Sequence, residues 1–254
     1  MKKISSVVFL ILSVVLVACS IKVTKRGGVN PSAKQDSDQG QTEEEIKAEA
    51  DAVLDALKTK RDDYHNKMED LRTKFKEKDP TKRNSVSMPG GLLGSIDREK
   101  IYASLGYDNE AIGKLNSVIG MLQLNDSVNN RDKERETVTN VLTMLVELDD
   151  ATEKILDKHL TEDSLEKIKQ DNKKLKRLDK ELKAFTNKRN AFIKSIKTLI
   201  KEAASKADEA GVRAELDKVT NTTIGVTTPG EAGYYHSTIS AIKANEINIG
   251  ILVK

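Results

Sequence analysis

Few side chains in this chain of 254 residues have reactive chemistry: one cysteine, Cys19, and three histidines, His65, His159 and His236. A lone thiol has no internal disulfide partner and no second sulfur with which to hold a metal. The histidines fall in three separate segments, without the tight His or carboxylate spacing of a zinc motif. Asp62 and Asp63 stand beside His65, but within the mixed charge of an ordinary solvated face. No Gly-x-Ser-x-Gly elbow, phosphate-cradling loop or dinucleotide fingerprint occurs, and the glycines of "MPGGLLG" lack the Lys-Ser or Lys-Thr ending. The sequence therefore offers no catalytic residue, no metal ligand and no cofactor, and the chain reads as a non-enzyme.

Cys19 is informative by position. Lys2 and Lys3 precede a mostly apolar run from Ile4 to Ala18, and small Ala18 stands directly before the cysteine, which is the plan of a secretory signal. The run is shorter than the roughly 20 residues that a helix needs to span a bilayer. Leu16-Val17-Ala18-Cys19 resembles a bacterial lipobox. That resemblance implies cleavage before Cys19 and a diacylglycerol on its sulfur; two or more acyl chains anchor a protein stably. The alternative is a secreted chain with an incidental cysteine.

The formal charge is +3, and loss of Lys2 and Lys3 with a signal takes it to +1. The signs are mixed, no contiguous basic block reads as a nucleic-acid or heparin patch, and aromatics are few, so nucleic acid is not an expected partner. With no Trp and four Phe, the core must come from Leu, Ile, Val, Ala and Met, which suits packed helices.

The segmentation follows. Residues 1–18 read as signal peptide, and 19–42 as the lipidated cysteine with a polar, flexible tether whose 22 or so residues span about 25 Å. Residues 43–210 read as a helical domain. Thr42 and Glu45 form a capping-box pattern, and an apolar stripe runs from Ile46 to Phe75, ending before Pro80. Asp97 caps a short helix, and Asp108 or Asn109 starts one with Ile112, Leu115, Val118 and Ile119 inward, weakened by Gly113 and Gly120 unless close packing compensates. Further helices are expected from Lys133 to His159 and from Leu165 to Ala207. Residues 211–254 read as an irregular tail, poor in charge and rich in Thr, Ile and Gly from Thr220 on, with a marginal hairpin or a weak helix after Tyr234 as alternatives. The expected fold is all-α, a bundle of about five helices with a flexible N-terminal tether and an irregular C-terminal tail.

"IYASLGYDNEAIGKLNSVIGML", from Ile101 to Leu122, resembles a segment of Borrelia surface lipoproteins with a Tyr-x-Ser-Leu-x-Tyr start and an Ile-x-x-Leu helix. Length and helix order are compatible with paralogous family 54, which contains a complement regulator-acquiring surface protein. The multicopy lipoproteins, with a similar Leu-Gly-Tyr-Asp helix, are shorter and the second choice. The resemblance implies a helical bundle at the cell outer membrane, held there through the lipid on Cys19 and binding a host protein such as a complement or plasma factor. An adhesin for matrix or a vector receptor, a surface antigen without complement activity, and an inward-facing lipoprotein are the alternatives. In the factor H binder of that family a C-terminal helix supports dimerisation and binding, so a homodimer is among the implied partners. Here "TNTTIGVTTPG" departs from that helix, and no ligand-contact residue carries over.

Overall fold

The computed structural model describes residues 42–87, 96–125 and 130–254. The expected signal peptide, Cys19 and nearly all of the tether lie outside the described residues, as do parts of two connecting loops.

The first helix, α1, spans Glu43–Lys76. The Glu45 amide donates to Thr42 Oγ1 at 3.2 Å and the Thr42 amide donates to Glu45 Oε2 at 2.9 Å, which completes the expected capping box. After Pro80 the chain folds back along a later helix. Asp97 caps α2 (Arg98–Ser104), and Asp108 caps α3 (Asn109–Met121), accepting from the Glu110 and Ala111 amides at 3.1 and 3.2 Å. Gly113 is explained by close approach, though of a loop and not of a helix: a Cβ there would run into the Asn84 side-chain amide. Asn84 is held in place by hydrogen bonds with the side chain and carbonyl of Asn109. Around Gly120 there is open space.

Helix α4 (Asp132–Glu153) continues into a π-helical turn, Lys154–His159. What reads from sequence as one helix after Leu165 is two, α5 (Glu162–Ile168) and α6 (Asn172–Ala204), because Asp171 turns the chain and accepts the Lys174 amide at 2.9 Å. Asp208 then caps α7 (Glu209–Thr220), accepting the Gly211 amide at 2.8 Å.

The C-terminal expectation is corrected. Residues 211–254 are not irregular: they complete α7 and form α8, Tyr234–Leu252. Eight α-helices and the π turn thus stand among the described residues where about five helices were expected, and no strand is present there. Helix α8 joins the interior, with Tyr235, Ile242 and Ile249 each almost fully buried. α6 lies centrally, packing most extensively on α8 and also on α3, α1 and α7, while α4 packs on α2, α7 and α8. The resulting core is one contiguous cluster of Leu, Ile, Val, Ala, Phe and Tyr.

Candidate functional site

Several polar contacts interrupt this interior, Ser195 with Tyr235 and Glu134 with Arg213 among them, and two bear on the candidate chemistry. The deeper one joins α1, α4 and α6. Arg189 of α6 is 5% exposed and Thr152 of α4 is 3% exposed. The Arg189 Nε donates to Thr152 Oγ1 at 3.0 Å, and Thr152 in turn donates to the Leu148 carbonyl at 2.7 Å. The guanidinium lies over the Tyr64 ring of α1, 5.1 Å from its centroid, a cation–π arrangement. Arg189 Nη2 and the Tyr64 hydroxyl find no hydrogen-bond partner among the described residues. Burial pushes the nearby Asp149 carboxyl up to about 6, against the opposing pull of Arg189 and Lys100 and with the repulsion of Glu153 and Asp150 added. The buried guanidinium thus joins side chains of α1, α4 and α6, with the Asp149 carboxyl near it.

The second contact lies at the edge. The π turn carries His159 onto α8, where Nε2 lies 2.7 Å from Glu246 Oε1, both side chains being mostly shielded. Gly250 makes room for the imidazole: a Cβ there would stand 2.8 Å from His159 Cε1. His65 pairs with Asp157 at 3.1 Å on an exposed surface, and His236 lies half-buried on α8. The three histidines are therefore not brought together. Among the described residues no hydroxyl hydrogen-bonds a histidine, and no cluster of three or more His, Cys, Asp or Glu side chains is placed to hold a metal ion.

The segment from Ile101 to Leu122 proves to be scaffold. Tyr102 Oη accepts the buried Val86 amide at 3.2 Å, fastening the loop that precedes α2. The Ser104 hydroxyl donates to the Leu145 carbonyl of α4 at 2.5 Å, and Leu105 is fully buried. Tyr107 holds a left-handed φ of 53°, a conformation uncommon for a side chain of its size. Its hydroxyl donates to Glu99 at 2.9 Å, and its ring packs at 5.8 Å on Phe75, which also meets Tyr102 at 5.4 Å. Asp108 both caps α3 and pairs with Lys197 of α6 at 2.9 Å. Burial raises its carboxyl, but Lys197 and the capping amides outweigh that and leave it below the usual range. Each of these side chains is spent on holding α2 and α3 to their neighbours.

Among the described residues, four large apolar side chains are exposed: Ile46, Ile224, Ile247 and Ile251. The last two stand one turn apart on α8, 57% and 62% exposed, in line with exposed Ser240 and Ala244. Sequence periodicity passed over this pair because the helix that carries it has apolar residues on both sides. No helix among the described residues is long and apolar enough to cross a membrane. The chain matches no family model, no curated protein and no solved structure.

Proposed function

We propose that the chain is an outer-surface lipoprotein of the Borrelia paralogous family 54 type, held by acyl chains on Cys19, whose helical body binds a host complement or plasma factor without catalysis. The observation that carries the docking is the exposed Ile247 and Ile251 pair on a helix that is otherwise part of the core. A rigid helix presenting two aliphatic side chains one turn apart has the form of a small apolar anchor, around which a polar rim excludes water. Lys243 and Asn248 supply polar neighbours on that face.

Incubating the purified protein with serum and identifying what it retains tests the reading. A complement or plasma protein is expected, and the double substitution Ile247→Asp with Ile251→Asp is expected to abolish its capture while leaving the helical signal intact. Capture of nothing above background, or capture indifferent to both substitutions, sinks it. Palmitate labelling that passes Cys19 by removes the anchor separately.

A further inference from the structure

The fold assembles a row of lysines that are not contiguous in the sequence. Among the exposed residues of α6, Lys173, Lys176, Lys180, Lys183, Lys194 and Lys201 fall along one outward line at helical spacing. At a rise of 1.5 Å per residue the row is about 42 Å long. The one exposed acid of this helix is Glu202, in its last turn, while Asp179 and Glu181 are half-buried and engaged by Lys60 and Asn245. Only Lys176 of the six is paired, with Glu49 at 2.9 Å; the other five make no ion pair among the described residues.

This arrangement works against the helix that carries it. Lys173, Lys176, Lys180 and Lys183 are like-charge neighbours three or four positions apart, and Lys173 stands in the first turn of α6, at the positive end of its dipole, beside the capping Asp171. A solvated face has no need of such segregation.

We propose that this row binds a linear sulfated polysaccharide of the glycosaminoglycan class, with its sulfates and carboxylates lying along the lysines. A straight polyanion matches a straight row of cations, and it releases condensed counterions as it binds. No aromatic stands among the exposed residues of α6 to stack a base, as single-stranded nucleic acid requires. No large apolar side chain stands there to enter a membrane interface. Protein interfaces are depleted in lysine, of which the row consists. The meeting with such a chain outside the cell rests on the surface location proposed above; the binding itself does not.

Binding of fluorescent heparin to the purified protein, measured across a salt series, is the test. Two variants lose the same charge: Lys173→Gln, Lys180→Gln and Lys183→Gln on the row, and Lys67→Gln, Lys154→Gln and Lys158→Gln on exposed positions elsewhere. The row variant is expected to lose at least about tenfold in affinity and to lower the log–log salt slope by about three, one per lysine, while the other stays within about twofold. Thermal melts of both confirm that the fold is retained. Equal losses in the two variants, no heparin binding at about 0.15 M salt, or desulfated heparin binding as well as heparin overturns the proposal. Equal affinity for phosphatidylserine vesicles or for single-stranded DNA overturns it in favour of those partners. Heparin binding without serum capture leaves the row standing and removes the host-factor reading; the reverse result does the opposite.

Discussion

Where α6 meets α1, charged groups line the contact: Lys176 and Asn172 reach Glu49 at 2.9 and 3.1 Å, Asp179 takes Lys60, and Arg189 lies over Tyr64. Where the same helix meets α8, Asn245 joins Lys188 and Glu181, but the rest of the seam is mainly apolar: Phe192 stands edge-on to Tyr235 at 5.9 Å, and Ser195 donates to the Tyr235 hydroxyl at 3.0 Å beside fully buried Ile242. The two seams do different work. Exposed ion pairs gain little, because water competes for both partners and long side chains lose freedom. Burial of aliphatic and aromatic surface is the dominant favourable term of folding. The α8 seam should therefore hold the molecule together, and the α1 seam should fix which residues of two parallel helices lie side by side.

The largest effect is expected at the apolar seam. Ile242→Ala removes a fully buried side chain from α8 and should cost about 2–5 kcal/mol, measured by chemical denaturation. A loss under about 1 kcal/mol would mean that α8 is only loosely docked and would erase the contrast.

Next comes the one place where the polar seam goes deep. Thr152→Val is close in shape to the native residue but takes away the single hydroxyl that accepts from Arg189, leaving a guanidinium that already has an unpartnered Nη2. Stranding it further should cost about 1–3 kcal/mol. Arg189→Met, which removes the charge and fills similar space, should cost less than Thr152→Val, as replacement of a buried ionic group by an apolar one often does. If the order reverses, the guanidinium is a net contributor and not a burden.

How much of this was legible depends on whether a helix has a polar side. α3 could be read because Asp108 caps it and Ile112, Leu115, Val118 and Ile119, all buried, recur on one face. From sequence α8 reads as irregular tail, because Ile239, Ile242, Ile249 and Leu252 point inward while Ile247 and Ile251 point outward, which leaves no amphipathic period to detect. Low-propensity Thr238, Asn245 and Gly250 are buried in it as well, so tertiary packing decides its structure. The Arg189 contact did leave a trace: Leu182, Phe185, Arg189 and Phe192 occupy one apolar stripe at spacings of three and four, with a cation at the third place. Among so many exposed Lys and Arg on that helix, the trace did not stand out. The lysine row was hidden for the opposite reason, since its members are spread over nearly thirty positions and align only once the helix is formed.

A smaller and pH-dependent effect is expected at Asp149. Its carboxyl is raised to about 6 in the fold, against about 3.9 in an unfolded chain, so the folded state holds the extra proton between those values. The stabilisation that protonation provides is complete below pH about 4 and is lost as pH rises through about 6. Asp149→Asn keeps the position uncharged at every pH. It should match the native protein near pH 4 and exceed its stability by about 1–2 kcal/mol at pH 8, a figure discounted because the carboxyl is only partly buried. Parallel melts across the range check this; a variant less stable at pH 8 would show that the carboxylate's attraction to Arg189 outweighs its desolvation.

The smallest effect belongs to the exposed end of the α1 seam. Lys176 and Asn172 hold the Glu49 carboxyl below the usual range, so its pairing is present at neutral pH and is lost as pH falls through the carboxylate range. Yet both partners are solvated, and Glu49→Ala should leave the unfolding midpoint where it was. Its consequence should be local: α1 begins at Glu43 with mostly exposed turns, and Ala50 and Leu54 are the first residues to reach the core. Without the Glu49 tie, amide hydrogens of the first two turns should exchange faster while those beyond Leu57 keep their protection, since fraying of an end need not involve global unfolding. Faster exchange along the whole of α1 would instead show that the charged seam holds the helix on the bundle, and the distinction between register and stability drawn from the two seams would fail.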